Sequence, residues 1–201
     1  RNGTKDLPEM FRMAVASGRG IGKSALVSWI ILWMLSTRLG ATIIVTANTE
    51  QQLRSRTWAE LGKWMTLSIN SHWFHKTATT IKPAPWFQEA LERDLKIDTG
   101  YYYAQAQLWS EENPDAFAGI HSSYGVCLIM DEASGIPSPI YSVSEGFFTE
   151  PTQNRYWFTF SNPRRNTGPF YDSFHAKKSF WQNLQIDSRT VEGADQKLFQ
   201  S

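Results

Sequence analysis

The chain has 201 residues, 41% hydrophobic and 14% aromatic, enough to bury one core of ordinary domain size. Its formal net charge is +1, so there is no global basic field, and any nucleic-acid contact has to come from local patches. The single cysteine, Cys127, excludes an internal disulfide and, inside an apolar run, reads as a small buried residue of a reducing compartment.

Residues 1–10 are polar and read as a lead-in. "FRMAVA" (Phe11 to Ala16) predicts a short strand running into a glycine-rich loop. Gly22 to Leu35 then predicts a helix. Its apolar part, "ALVSWIILWML", is well short of the ~20 residues that cross a bilayer, so no membrane span is expected. It reads instead as a helix buried on nearly all sides. "ATIIVTA" (Ala41 to Ala47) is β-branched and suits a central parallel strand. Asn48 or Thr49 caps a following helix that runs to about Thr66. Residues 68–100, broken by Pro83 and Pro85, read as a peripheral excursion. "YYYAQA" (Tyr101 to Ala106) is a strand candidate, and 110–123 a turn-rich loop. "GVCLIMDEA" (Gly125 to Ala133) is the strongest strand signal, and residues 140–148 read as a short helix. "RYWFTFSNP" (Arg155 to Pro163) and "FWQNLQID" (Phe180 to Asp187) supply two more strands. Strands alternating with helices predict an α/β fold with a mostly parallel sheet. The chain begins at Arg1 without a methionine and ends in a polar tail, and is expected to be part of something longer.

"SGRGIGKS" (Ser17 to Ser24) lies between the first strand and the first helix, the context a phosphate-binding loop requires. Ser17, Gly18, Arg19, Gly20, Ile21 and Gly22 would form the cradle, with backbone N–H groups and a helix N-terminus facing the phosphates. Lys23 would reach the β- and γ-phosphates, and Ser24 would place its hydroxyl on Mg²⁺. Ser17 stands where the usual pattern has its first glycine, and a serine there has to avoid a strained φ. The acids Asp131 and Glu132 emerge at the carboxyl end of an apolar strand, the edge where open α/β sheets bind ligands. Asp131 would enter the Mg²⁺ shell and Glu132 would take a proton from the attacking water. That second acid favours a hydrolase over a nucleotide switch. A third strand ends in "TFSNP", where Ser161 or Asn162 could touch the γ-phosphate or orient the water.

Together, "SGRGIGKS", "VCLIMDEA" and "TFSNP" resemble the ATPase domain of the large terminase subunit of tailed bacteriophages, over roughly residues 10–190. The resemblance implies a P-loop NTPase fold of the ASCE/RecA-like kind, and one ATPase domain over residues 1–201. It implies ATP and Mg²⁺ as cofactors, and ATP hydrolysis that drives double-stranded DNA into a procapsid. It accounts for Ser17 and Arg19, since the family's loop often lacks the first glycine and carries an arginine. Arg19 either hydrogen-bonds within its loop or, by resemblance, acts as a catalytic charge stabiliser on its own or a neighbour's nucleotide. "TANTEQQLRSRTWAEL" (Thr46 to Leu61) and "NPDAFAGIHSS" (Asn113 to Ser123) resemble two further family segments. The implied partners are double-stranded DNA without sequence preference, portal protein, small terminase subunit and ring-forming copies of the chain. The implied place is the host bacterial cytoplasm, docked on the procapsid, with no membrane. The family usually places an adenine-reading glutamine upstream of the phosphate loop; no glutamine precedes Gln51 here, so base recognition is expected either upstream of Arg1 or by other means. Too few residues follow Pro163 for the family's nuclease domain, and Asp172, Asp187 and Asp195 make no metal cluster, so no nuclease activity is expected. The alternatives are another P-loop ATPase on nucleic acid, such as a helicase, and an assembly factor that binds nucleotide without turnover. Arg54 with Arg56, Arg164 with Arg165 and Lys177 with Lys178 are the basic positions open to DNA, Arg164-Arg165 first among them. His72 and His75, separated by Trp73 and Phe74 with no third ligand near, are expected to pack rather than bind metal.

Overall fold

The computed structural model describes residues 10–18, 20–117, 119–120 and 122–187. Among the described residues, eight strands form one sheet: β1 (Phe11–Ser17), β2 (Thr42–Thr46), β3 (Phe74–Lys76), β4 (Thr80–Pro83), β5 (Tyr103–Ala106), β6 (Val126–Asp131), β7 (Arg155–Ser161) and β8 (Gln182–Ile186). Their spatial order is β3-β4-β5-β2-β6-β7-β1-β8. Every pairing from β5 to β8 is parallel, while β3 and β4 extend the far edge as an antiparallel pair.

Two apolar layers follow from the alternation of side chains along each strand. Val15, Ile43, Val45, Cys127, Ile129, Phe158 and Phe160 face one layer; Ala14, Ile44, Leu128, Met130 and Trp157 face the other. Burial pushes the Cys127 thiol well above its usual range, as expected of an inert buried cysteine. The first layer is covered by α1 (Lys23–Thr37) and by one continuous helical rod. That rod comprises α2 (Glu50–Gln52), a π-helical stretch (Leu53–Trp58) and α3 (Ala59–Leu67). The second layer is covered by α5 (Ser138–Ser144) and α6 (Pro169–Phe174). The excursion of residues 68–100 supplies β3, β4 and α4 (Pro85–Leu95), with Pro85 in the first turn of α4.

The expectation that α1 is buried on nearly all sides does not hold. Val27, Ile31, Met34 and Leu35 are buried, but Leu26, Trp29 and Trp33 are exposed. The outer face carries rings that pack on neighbours: Trp29 edge-on to Trp64 at 4.9 Å, and Trp33 edge-on to Tyr156 at 5.6 Å. The Arg38 guanidinium lies over the Trp33 ring at 4.8 Å. Among the described residues, no helix is long and apolar enough to cross a membrane.

Candidate active site

The sheet order sets the site. β7 lies between β1, which leads into the phosphate loop, and β6, which ends in the acids. Register brings Ala16 opposite Ser161 and Asp131 opposite Phe160, so three functional strand ends finish at one level. The tight turn after Ser17 needs two left-handed residues, and Gly20 (φ 75) and Gly22 (φ 85) supply them. A Cβ at either would meet nothing within 4 Å, so the demand for glycine comes from the backbone angle and not from space. Ser17 avoids strain because it is still the last residue of β1. It is buried, and its hydroxyl has no protein partner. Gly22 caps α1 without a side-chain hydrogen bond. Ile21 lies half-buried in the loop, and Arg19 lies outside the described residues.

Lys23 is the first residue of α1, and its Nζ reaches back to donate to the carbonyl oxygens of Ser17, at 3.3 Å, and Gly18. Together with Gly20, Gly22, Ser24, Asp131 and Glu132 it lines a concavity of about 320 Å³. The structure therefore brings the two halves of the sequence motif into one pocket. Asp131 is buried at the end of β6. Its Oδ2 accepts from Thr57 Oγ1 at 2.7 Å, and its Oδ1 from the Glu132 N–H at 3.0 Å. Desolvation pushes its pKa up, as does the nearby Glu132 carboxylate to a lesser degree; the Thr57 and backbone hydrogen bonds and the Lys23 charge pull it down. A buried carboxylate with upward pressure on its pKa is a group suited to a cation partner.

Glu132 has φ 56 and ψ 37, a left-handed conformation unusual for a residue with a side chain. Its backbone is held at both ends. The N–H donates to Asp131, and the carbonyl accepts from Asn48 Nδ2 at 3.0 Å and from the Gly135 N–H at 3.0 Å. Gly135 has a steric reason to be glycine. A Cβ there would lie 2.2 Å from Asn48 Nδ2. The turn after Glu132 is also tied to β7. Ser134 N–H donates to Ser161 Oγ at 3.1 Å, the two hydroxyls are 2.7 Å apart, and Ser134 Oγ donates to the Asn162 carbonyl at 3.2 Å. Ser161 is thus fully buried and engaged. Asn162 is placed elsewhere, lining a second cleft on the other flank of the loop with Ser17 and Gly18.

Several residues of the site carry no motif signal. Thr49, not Asn48, caps the rod, accepting from the Gln52 N–H at 3.2 Å, which frees Asn48 to clamp Glu132. Within the rod, the wide π-helical turn slows the rotation of successive side chains, and Gln52, Arg56 and Glu60 all line the Lys23–Asp131 pocket. Gln52 Oε1 is buried with no protein partner. The Arg54–Arg56 pair is split: Arg54 pairs outward with Glu50 at 2.8 Å, while Arg56 faces the phosphate loop. The remaining basic positions, Arg164, Arg165, Lys177 and Lys178, are exposed. His72 stacks on Trp86 with ring centroids 6.0 Å apart and an interplanar angle of 11°, as expected of a packing residue.

No protein-family model matches the chain. Over 170 residues, 81% of its length, it is 30% identical to the probable terminase large subunit of Enterobacteria phage P7. The chain is related to the phage large terminases. It spans about a third of that relative's length, 31%. The large terminase ATPase domain of Thermus phage P74-26 superposes with a TM-score of 0.64 at 14% identity, over 96% of this chain and 82% of that one. The large terminase of the thermophilic bacteriophage D6E, in complex with ADP, superposes with a TM-score of 0.58 at 14% identity, over 89% of this chain and 40% of that one. At such identities the likeness is one of fold: the α/β P-loop fold of terminase ATPase domains, as the sequence predicts.

Proposed function

We propose that this chain is the ATPase motor of a terminase-like packaging enzyme, hydrolysing ATP with Mg²⁺ to move double-stranded DNA into a procapsid. The observation that carries the reading is the convergence of Lys23, Ser24, Asp131 and Glu132 on one pocket beside a glycine-turned loop. The pocket fits a metal–nucleotide complex: it offers a buried carboxylate, an adjacent hydroxyl, a lysine and an unpartnered buried amide oxygen on Gln52. Ser24 and Asp131 would hold Mg²⁺, which when bound neutralises charge on the β- and γ-phosphates. Lys23 and the N–H groups from Gly18 to Ser24 orient the phosphates. Glu132, fixed by Asn48 and Gly135, accepts the proton of the attacking water. Ser134 and Ser161 connect the turn carrying that base to β7, a short route by which the state of the pocket would reach the Asn162–Arg165 segment.

DNA would be held through its phosphates, which suits transport without sequence preference. Arg164 and Arg165 follow β7 and are the basic residues best placed to respond to hydrolysis. Arg19 remains the proposed charge stabiliser. Portal protein, small terminase subunit, ring-forming copies and the host cytoplasm belong to the same reading. The test is ATPase activity with Lys23→Ala, joined to a duplex-translocation assay. Loss of turnover in the variant, with duplex moved and no strand separation by the parent, supports the reading. Parent-like turnover in the variant refutes the site, and unwound product assigns the chain to helicases instead.

A further inference from the structure

The helical rod touches the proposed metal ligand at one point, where Thr57 Oγ1 donates to Asp131 Oδ2 at 2.7 Å. The residue just before that point is Arg56. It is exposed, and it lines the Lys23–Asp131 pocket from the rod. We propose that Arg56 is a further catalytic residue: its guanidinium contacts the γ-phosphate bound in its own chain and stabilises the charge that builds up during transfer to water. The inference rests on the phosphate-loop reading above, and draws a cation from the rod in addition to those of the loop.

The local fold explains where the side chain goes. The π-helical turn brings Gln52, Arg56 and Glu60, at four-residue spacing, onto one line along the pocket. Thr57, buried beside that line, fixes its level against the end of β6. The pocket holds the two acids at that strand end, so Arg56 stands at the reacting end of the triphosphate, on the side of Glu132.

Charge accounting on the rod singles this residue out. Arg54 is engaged with Glu50 at 2.8 Å, and Lys63 with Glu60 at 3.6 Å. Glu60, one turn beyond Arg56, also accepts from Trp64 Nε1 at 2.8 Å. Among the described residues, Arg56 has no acidic partner within ion-pair distance. Nothing in the fold therefore uses its charge, while Lys23 set against Asp131 and Glu132 leaves the site net negative before a polyanion enters. A guanidinium is always protonated, and its planar fork matches two phosphate oxygens at once. In the reaction the water oxygen bonds to the γ-phosphorus as the bond from that phosphorus to the β,γ-bridging oxygen breaks. The electron pair leaves on the β-phosphate, and the water's proton goes to Glu132. Arg56 transfers no proton; it offsets the negative charge on the phosphoryl oxygens in flight.

The test uses the full chain with Mg²⁺ present. Arg56→Ala should lower kcat for ATP hydrolysis about 10³-fold, and Arg56→Lys should recover part of the loss, since it keeps the charge and not the fork. Calorimetric titration then locates the contact. Arg56→Ala should bind ADP within about twofold of the parent and β,γ-imido-ATP about tenfold more weakly. ADP with aluminium fluoride, which mimics the phosphoryl group in transfer, should saturate the parent and not the variant. Arg56 is exposed, so the melting temperature should not move, and Arg54→Ala on the same rod should match the parent throughout. A mixture of Arg56→Ala and Lys23→Ala should stay inactive, because each chain lacks part of its own site. Parent-like kcat in Arg56→Ala, equal loss of ADP and β,γ-imido-ATP, or restored turnover in the mixture overturns the proposal. So does weaker duplex binding with nucleotide affinities unchanged, which would make Arg56 a DNA contact. Failure of the underlying reading looks different: the parent binds neither nucleotide, or Lys23→Ala hydrolyses ATP as the parent does.

Discussion

Gly135→Ala is the sharpest probe of how this fold holds its proposed base. The added Cβ would sit 2.2 Å from Asn48 Nδ2, 2.8 Å from its Cγ and 2.9 Å from its Oδ1. Ordinary contact is about 3.5 Å, so the Asn48 amide has to retreat by roughly an ångström or more. Its 3.0 Å bond to the Glu132 carbonyl cannot survive that shift. Losing the bond costs about 1 kcal/mol. It also removes one of the clamps that keep Glu132 in a left-handed conformation, itself unfavourable by about 1–2 kcal/mol. The relaxed turn should carry the carboxylate off its mark, and a misplacement of about 1 Å can cost up to ~10²-fold in rate. We therefore expect kcat for ATP hydrolysis to fall by about 10- to 100-fold, with KM changed by less than about threefold because the phosphate loop is untouched. Asn48→Ala breaks the same clamp from the other side and removes the clash. Steady-state kinetics on the two single variants and the double variant complete the cycle. The double variant should be no worse than the weaker single. If its loss is the product of the two single losses, Gly135 does not act through Asn48 and the reasoning fails.

Two further outcomes follow from the same geometry. Glu132→Gln should bind ATP with parent-like affinity while its single-turnover hydrolysis falls at least ~10²-fold, since the amide cannot take the water's proton; a parent-like rate would remove Glu132 from that role. Thr57→Val keeps the shape but deletes the donor to Asp131, so the Mg²⁺ concentration for half-maximal turnover should rise severalfold, and an unchanged Mg²⁺ titration would show that Thr57 does not set the carboxylate. The stability change in Thr57→Val has a sign. The native-state pKa of Asp131 is already raised by burial, and losing the Thr57 bond raises it further. The cost of losing that bond is therefore present wherever Asp131 is ionised, at about 1.5–3 kcal/mol. It fades as pH falls through the native-state pKa and the carboxyl takes up a proton. Melting curves should show the deficit of Thr57→Val shrinking on acidification.

The parts of this molecule that were legible in sequence are those whose local pattern and tertiary role agree. β2, β6 and β7 are buried on both faces, so each appears as an apolar run with its chemistry at the carboxyl end. Lys23, Asp131 and Glu132 are legible for the same reason. Residues 68–100 were opaque because β3, at the sheet edge, and its neighbour β4 have only three and four residues, too short to show a period, and because Pro83 ends a strand while Pro85 starts a helix. Asn48 was ambiguous because a small polar residue before a helix looks like a cap wherever its side chain goes. Gly135 was silent: its reason for being glycine is an amide 87 positions earlier in the chain, and no local pattern reports that.

That contrast bears on how the site is built. The acids proposed to meet the ligand and the loop that precedes Lys23 sit at strand ends, where the parallel sheet fixes their level to within one register step. The residues that aim them come from other connections: Asn48 from the turn after β2, Thr57 from the π-helical stretch, and Ser134 and Ser161 from the turn and strand on either side of the α5 segment. Asp131 is held by one helix-borne hydroxyl and Glu132 by one turn-borne amide, so a shift of the rod against the sheet would act on the metal ligand and the base together. With the acids on the sheet and their orienting groups on helical and turn connections, a small displacement of those connections would act directly on the rate. In the proposed motor the same coupling would run in reverse: a load that shifted the rod and the turn before it would shift the groups that hold Asp131 and Glu132.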